Sequence, residues 1–189
     1  MTLFETNQND SAEYPDIFEI DQFYRTYGAA IFAWQEVETA LFKLYHSINV
    51  LNGERDIMIS ARAYYKKKSF GPKLKLVSDL VTKVCPKEYI DWNALESDLK
   101  CQSDCRNLLV HSPVQLSINP DGSVYMELVE PMFMPSSMRR SASIFRKYDS
   151  NEFLVICSIF KDISRQIDTE REKIPHKFRN NKLILPVDQ

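Results

Sequence analysis

From residue 23 the apolar positions fall in steps of three and four: Phe23, Tyr27, Ile31, Trp34, Val37, Leu41, Leu44 and Ile48. That period puts them on one face of a long helix. Asn52-Gly53 ends it, because glycine enters the left-handed backbone of a helix C-cap without a Cβ clash. A second helical stretch runs from about Arg55 to Val84; inside it Ser69 is placed to cap a second segment whose buried side is Phe70, Leu74, Val77, Leu80, Val81 and Val84. Gly71-Pro72 interrupts it, so it is one kinked helix or two pieces. A third helix is expected from Pro86 or Lys87. Its stripe is Tyr89, Trp92, Leu95 and Leu99, then Gln102 or Ser103, then Arg106, then Leu109 or Val110. Pro113 pushes Ser112 out of helical geometry and stops this helix near His111.

The period then changes from about 3.6 to 2. Val114, Leu116 and Ile118 alternate with polar residues, as do Val124, Met126 and Leu128, and Asn119-Pro120-Asp121-Gly122 is a turn signal between them. This predicts one β-hairpin, about 113–130. A linker rich in Ser, Pro and basic residues follows over 131–148. Asp149 and Glu152 have capping-box spacing and open a last helix on Phe153, Cys157, Phe160, Ile163 and Ile167. The expected fold is mainly α, an antiparallel bundle of four to five helices with a hairpin inserted before the last long one. The domain spans 17–172, between a flexible N-terminal segment, 1–16, and a tail, 173–189.

Composition narrows the function. Hydrophobic residues make up 44% of the 189, enough for a real core, and only 4 glycines leave no room for a phosphate-binding Gly loop. A net charge of −2 excludes a generally basic nucleic-acid coat. Polyanion binding would need local clusters such as Lys66-Lys67-Lys68 or Arg139-Arg140. The lysine run is more simply a solvated face, and the neighbouring Tyr64 and Tyr65 are more simply core or interface than base-stacking rings. The N-terminus, MTLFETNQNDSAEYPD, lacks a basic start followed by an apolar run and does not read as a signal peptide. No segment approaches the length of a membrane span. Four cysteines in such a chain fit reduced thiols and a cytoplasmic location. Cys101, Cys105 and His111 match no common zinc spacing and lack a fourth ligand. No metal or other cofactor is expected.

The remaining chemistry sits in CRNLLVHSP, residues 105–113. Arg106 continues an apolar stripe, where a guanidinium loses hydration unless it is paired. Its plain explanation is an ion pair with Glu36 or Glu38 of the first helix. His111 stands at the negative end of its helix, which favours a protonated ring. Its plain explanation is an exposed terminal histidine held by that dipole. About 140° of helix separates the two, and unwinding at the C-terminus would bring them together. An arginine and a histidine side by side suit metal-free RNA cleavage. The ribose 2′-hydroxyl attacks the adjacent phosphate, imidazole moves protons, and guanidinium steadies the phosphorane-like transition state. The Asn107 amide can orient a ring or a phosphate.

Arg106-Asn107-Leu108-Leu109-Val110-His111 resembles the Arg-Asn-x-x-x-His form of the Arg-x(4–6)-His motif of the HEPN superfamily. The likeness extends to a Trp–Val–Glu–Leu helix (Trp34, Val37, Glu38, Leu41), a Ser-Phe-x-x-Lys-Leu segment (Ser69, Phe70, Lys73, Leu74) and the hairpin and helix behind the motif, roughly residues 20–170. The resemblance implies a four-helix-type bundle whose motif closes a late helix. It also implies a homodimer with two motifs in one cleft, and a metal-independent endoribonuclease leaving a 2′,3′-cyclic phosphate and a 5′-hydroxyl. Many such proteins are toxins, held by an antitoxin or regulatory protein, or defence effectors. In that reading Arg106 binds the scissile phosphate, His111 is the general acid/base and Asn107 supports both. Glu38, Ser69 and Lys73 are weaker candidates for substrate binding. The chain departs from many relatives at Ser112, where they carry Gly, and serine makes a left-handed turn costlier. The family also has catalytically silent members, so the alternative is a dimerisation or nucleotide/protein-binding module.

Overall fold

The computed structural model describes residues 17–85, 89–118, 124–128, 148 and 150–174. The elements run α1 (Ile17–Leu51), α2 (Ile57–Tyr65), α3 (Phe70–Val84), α4 (Trp92–His111), β1 (Val114–Ile118), β2 (Val124–Leu128) and α5 (Ser150–Glu172). The chain is mainly helical, and the strands form an antiparallel pair between α4 and α5 with Val114 opposite Leu128. The expected N-terminal segment, the turn at 119–122, the linker up to 147, Asp149 and the tail beyond Ile174 lie outside the described residues.

Helix α1 is the spine. Phe23, Trp34, Val37, Leu41, Leu44 and Ile48 of its predicted stripe are buried, and Tyr27 and Ile31 are half-buried. Ala30, Ala33 and Ala40 are buried too, which lets neighbouring helices approach from more than one side. Gly53 takes φ 94°, the expected left-handed cap. The most extensive helix contact is α1 with α5. Phe153 meets Phe23 edge-on at 5.1 Å, Cys157 lies against the Ala29 carbonyl, and Phe160 meets Trp34 at 5.0 Å. Position advances together on both helices, so α1 and α5 run parallel. The long connection through the hairpin permits this. Helix α4 runs opposite to both: the Asp91 N–H at its start points to Glu170 near the end of α5, and its last turn reaches Tyr27.

Three boundaries differ from the sequence expectation. The stretch 55–84 is two helices, the second starting after Ser69 as its place as a cap predicts, so the break lies at Lys66–Ser69 and Gly71-Pro72 does not interrupt α3. Ser69 takes the extended N-cap conformation, which leaves Pro72 in the first turn of α3, where no N–H is needed. Helix α4 starts at Trp92, later than Pro86 or Lys87. Its start is tied by the bond from the Asp91 N–H to Glu170 and by the Trp92 indole donating to Ser78 at 3.0 Å. The domain also extends past 172: Ile174 is 2% exposed and belongs to the core.

Candidate functional site

The C-terminal half of α4 carries the motif. Trp92, Leu95, Leu99 and Leu109 are its buried residues, and Val110 is exposed. Arg106 lies on the buried phase, half-buried, as its place in the stripe requires. Its Nη1 donates to the Asn107 side-chain oxygen at 3.1 Å. Its Nε is shut away from solvent and, among the described residues, finds no hydrogen-bond acceptor. A guanidinium N–H left in that state costs about 1–3 kcal/mol.

The expected ion pair between Arg106 and Glu38 or Glu36 does not form. Glu38 accepts from the Trp34 indole at 3.1 Å and from the Lys73 ammonium, in an ion pair whose side chains are 13% and 11% exposed. Glu36 instead lines a groove between α1 and α5. The Lys73 Nζ also sits 5.5 Å from the Tyr64 ring centroid and 5.7 Å from that of Tyr65. Lys73 and Glu38 are therefore partnered with each other, in a pair that ties α3 to α1. Ser69 is exposed at the start of α3 and makes no side-chain capping bond.

His111 is exposed and is the last residue of α4. The helix does not unwind before it, so the expected approach to Arg106 by unwinding does not occur within one chain. The two side chains leave the axis about 140° apart. Asn107 lies between them around the helix. It holds the Arg106 guanidinium and lies one turn before His111, about 40° away around the helix. Ser112 follows at φ −81°, ψ 131°, with its N–H on the Leu108 carbonyl. Extended backbone suits serine, so the departure from glycine carries no strain.

Tyr27 is the residue that pattern reading placed only in the core. Its hydroxyl donates to the Leu109 carbonyl at 2.9 Å, across 82 residues of chain. The last carbonyls of a helix have no partner within it, so this bond and the one from Ser112 fix the end of α4. The Tyr27 ring is held edge-on against Phe153 at 5.5 Å and stacked on Phe23 at 6.5 Å. Burial raises the Tyr27 phenol above its ordinary pKa, so it stays a donor at neutral pH. No signal in the local sequence separates such a tyrosine from an ordinary stripe residue.

Set against protein-family models, curated proteins and solved structures, the chain matches none of them. Its chemistry therefore rests on its own residues. Among the described residues, no three His, Cys, Asp or Glu side chains gather around one point that could hold a metal ion. None of the described helices is long and apolar enough to cross a membrane. The groove of about 640 Å³ between α1 and α5 is lined by Phe32, Glu36, Lys43 and Lys161, among others, and contains no motif residue. His46 accepts from or donates to Ser60 Oγ at 3.0 Å, but Ser60 is 1% exposed, which makes the pair a tie between α1 and α2 rather than a nucleophile and its base.

Proposed function

We propose that the chain is a HEPN-like, metal-independent endoribonuclease that works as a homodimer, with the ends of two α4 helices in one cleft. The observation that carries this reading is the Arg106–Asn107 unit. A guanidinium whose buried Nε finds no acceptor among the described residues is kept on the last turns of α4, the helix that ends in an exposed histidine. Arg106 would hold the scissile phosphate and the developing negative charge. His111 would take the 2′-hydroxyl proton or give one to the 5′-oxygen, and Asn107 would fix the guanidinium. Because Arg106 and His111 diverge on one helix, the arginine of one protomer and the histidine of the other would share a phosphate. A toxin or defence role under an antitoxin, in the cytoplasm, follows from the same resemblance.

The rival is a catalytically silent module that binds a protein or a nucleotide. The angular separation of Arg106 and His111 within one chain is what favours it. Purified protein incubated with end-labelled RNA in chelator separates the two. The nuclease reading expects products with 2′,3′-cyclic phosphate and 5′-hydroxyl ends. Cleavage should fall by about 10²-fold or more in His111→Ala, in line with loss of a general acid/base. Cleavage that persists unchanged in both Arg106→Ala and His111→Ala removes these residues from the site. A dimer with no cleavage of any RNA supports the module.

A further inference from the structure

The only dense run of positive charge among the described residues follows α2. Arg62, Lys66, Lys67 and Lys68 are exposed, and no described carboxylate pairs with any of them. In a chain of net charge −2 this is a local reversal of sign. The backbone there is fixed: the Lys66 N–H bonds to the Arg62 carbonyl and the Lys67 N–H to the Tyr64 carbonyl, both at 3.1 Å. Tyr65, at the same corner, is 55% exposed. Its ring is nonetheless held from behind. Phe42 lies at 5.2 Å, Tyr64 meets it edge-on at 5.1 Å, and Lys73, itself locked to Glu38, approaches at 5.7 Å. A ring that is braced on one side and open on the other is ready to stack with little entropy to lose.

We propose that Tyr65, Arg62 and Lys66-Lys67-Lys68 form a docking platform for single-stranded RNA. A base stacks on the open side of Tyr65, and the cations track the adjacent phosphates. The position suits the site proposed above, and the platform rests on that reading for its substrate. Tyr64 bonds the Glu38 carbonyl, and Tyr27 bonds the end of α4. Residues 27 and 38 are three helical turns apart on α1, so they share one side of it, separated by about 16 Å along the axis. The platform therefore stands about 16 Å along α1 from the end of α4, within the span of a strand of about a dozen nucleotides. A membrane surface fits less well. The exposed Ile57, Met58 and Ile59 start α2, roughly 10 Å or more along its axis from Lys66-Lys67-Lys68, and only Arg62 stands beside them.

The test is anisotropy of a labelled single-stranded RNA of about a dozen nucleotides, with the full chain carrying Arg106→Ala to limit cleavage. Tyr65→Leu should weaken binding at least about fivefold, and Tyr65→Phe should leave it near that of the parent. Replacing Lys66, Lys67 and Lys68 with Ala should reduce the slope of log affinity against log salt by about 2. Circular dichroism checks that each variant is folded. Affinity and salt slope unchanged in the folded variants overturn the platform. So does capture by vesicles of anionic phospholipid without binding to RNA. Cleavage that needs His111 while Tyr65→Leu binds normally overturns the platform and leaves the nuclease standing. Binding that needs Tyr65, with no cleavage by the wild-type chain, does the reverse.

Discussion

Two half-buried cations in this bundle are treated in opposite ways. Lys73 meets Glu38 directly, with the Trp34 indole on the second carboxylate oxygen and tyrosine rings around the ammonium. Among the described residues Arg106 meets only the neutral amide of Asn107, and its Nε has no acceptor. Both lose hydration, but only Lys73 is repaid by an opposite charge. The first arrangement holds α3 on α1. The second leaves a guanidinium incompletely satisfied among the described residues, on the helix that ends in an exposed imidazole.

The largest effect is expected at the satisfied pair. Lys73→Met leaves the Glu38 carboxylate buried without its cation and should cost about 3 kcal/mol in denaturant unfolding. Adding Glu38→Gln should return most of that loss, because the amide still accepts from Trp34 and no charge remains. If the double variant is as unstable as the single one, the pair is not what holds α3.

A smaller effect is expected where the two regions are linked through α1. Tyr27→Phe removes the donor to the Leu109 carbonyl and should cost about 1 kcal/mol. If Tyr27 positions the end of α4 for catalysis, kcat for RNA cleavage falls while KM changes little. A variant with wild-type kcat would reduce Tyr27 to a structural bond.

The smallest effect concerns His46. Burial lowers its pKa, outweighing nearby Glu54 and Asp56, which raise it. The unfolded chain then takes up a proton near pH 6.5, before the folded one does. The contribution of His46 to stability is therefore present above that pH and lost as pH falls below it, down to the lower folded value. Unfolding midpoints followed from about pH 7.5 to 5.5 should decline, and His46→Gln should flatten that decline. A decline of the same size in the variant assigns it to other groups.

The helices, the Gly53 cap and the hairpin strands are legible in the sequence because their signals are local: hydrophobic period, turn residues and a left-handed glycine. The inward place of Arg106 is legible for the same reason. Which charge meets which is not. Glu38 stands on the correct helix to pair with Arg106, yet the packing of α3 brings Lys73 to it instead. The start of α4 is misread because Tyr89 keeps the apolar phase of Trp92, while a bond to Glu170, far along the chain, fixes the turn before Trp92. Tyr27 is missed because its apolar ring obeys the stripe and its hydroxyl does not reveal its partner.

The central claim is that Arg106 is kept for a phosphate rather than for the fold. Arg106→Met tests it in one protein preparation, by unfolding and by RNA cleavage in chelator. Methionine keeps the apolar stem and removes the unsatisfied N–H, so stability should stay within about 0.5 kcal/mol of wild type or rise, while cleavage falls at least about 10²-fold. A loss near the 3 kcal/mol expected of Lys73→Met, or cleavage at the wild-type rate in a folded variant, would contradict it.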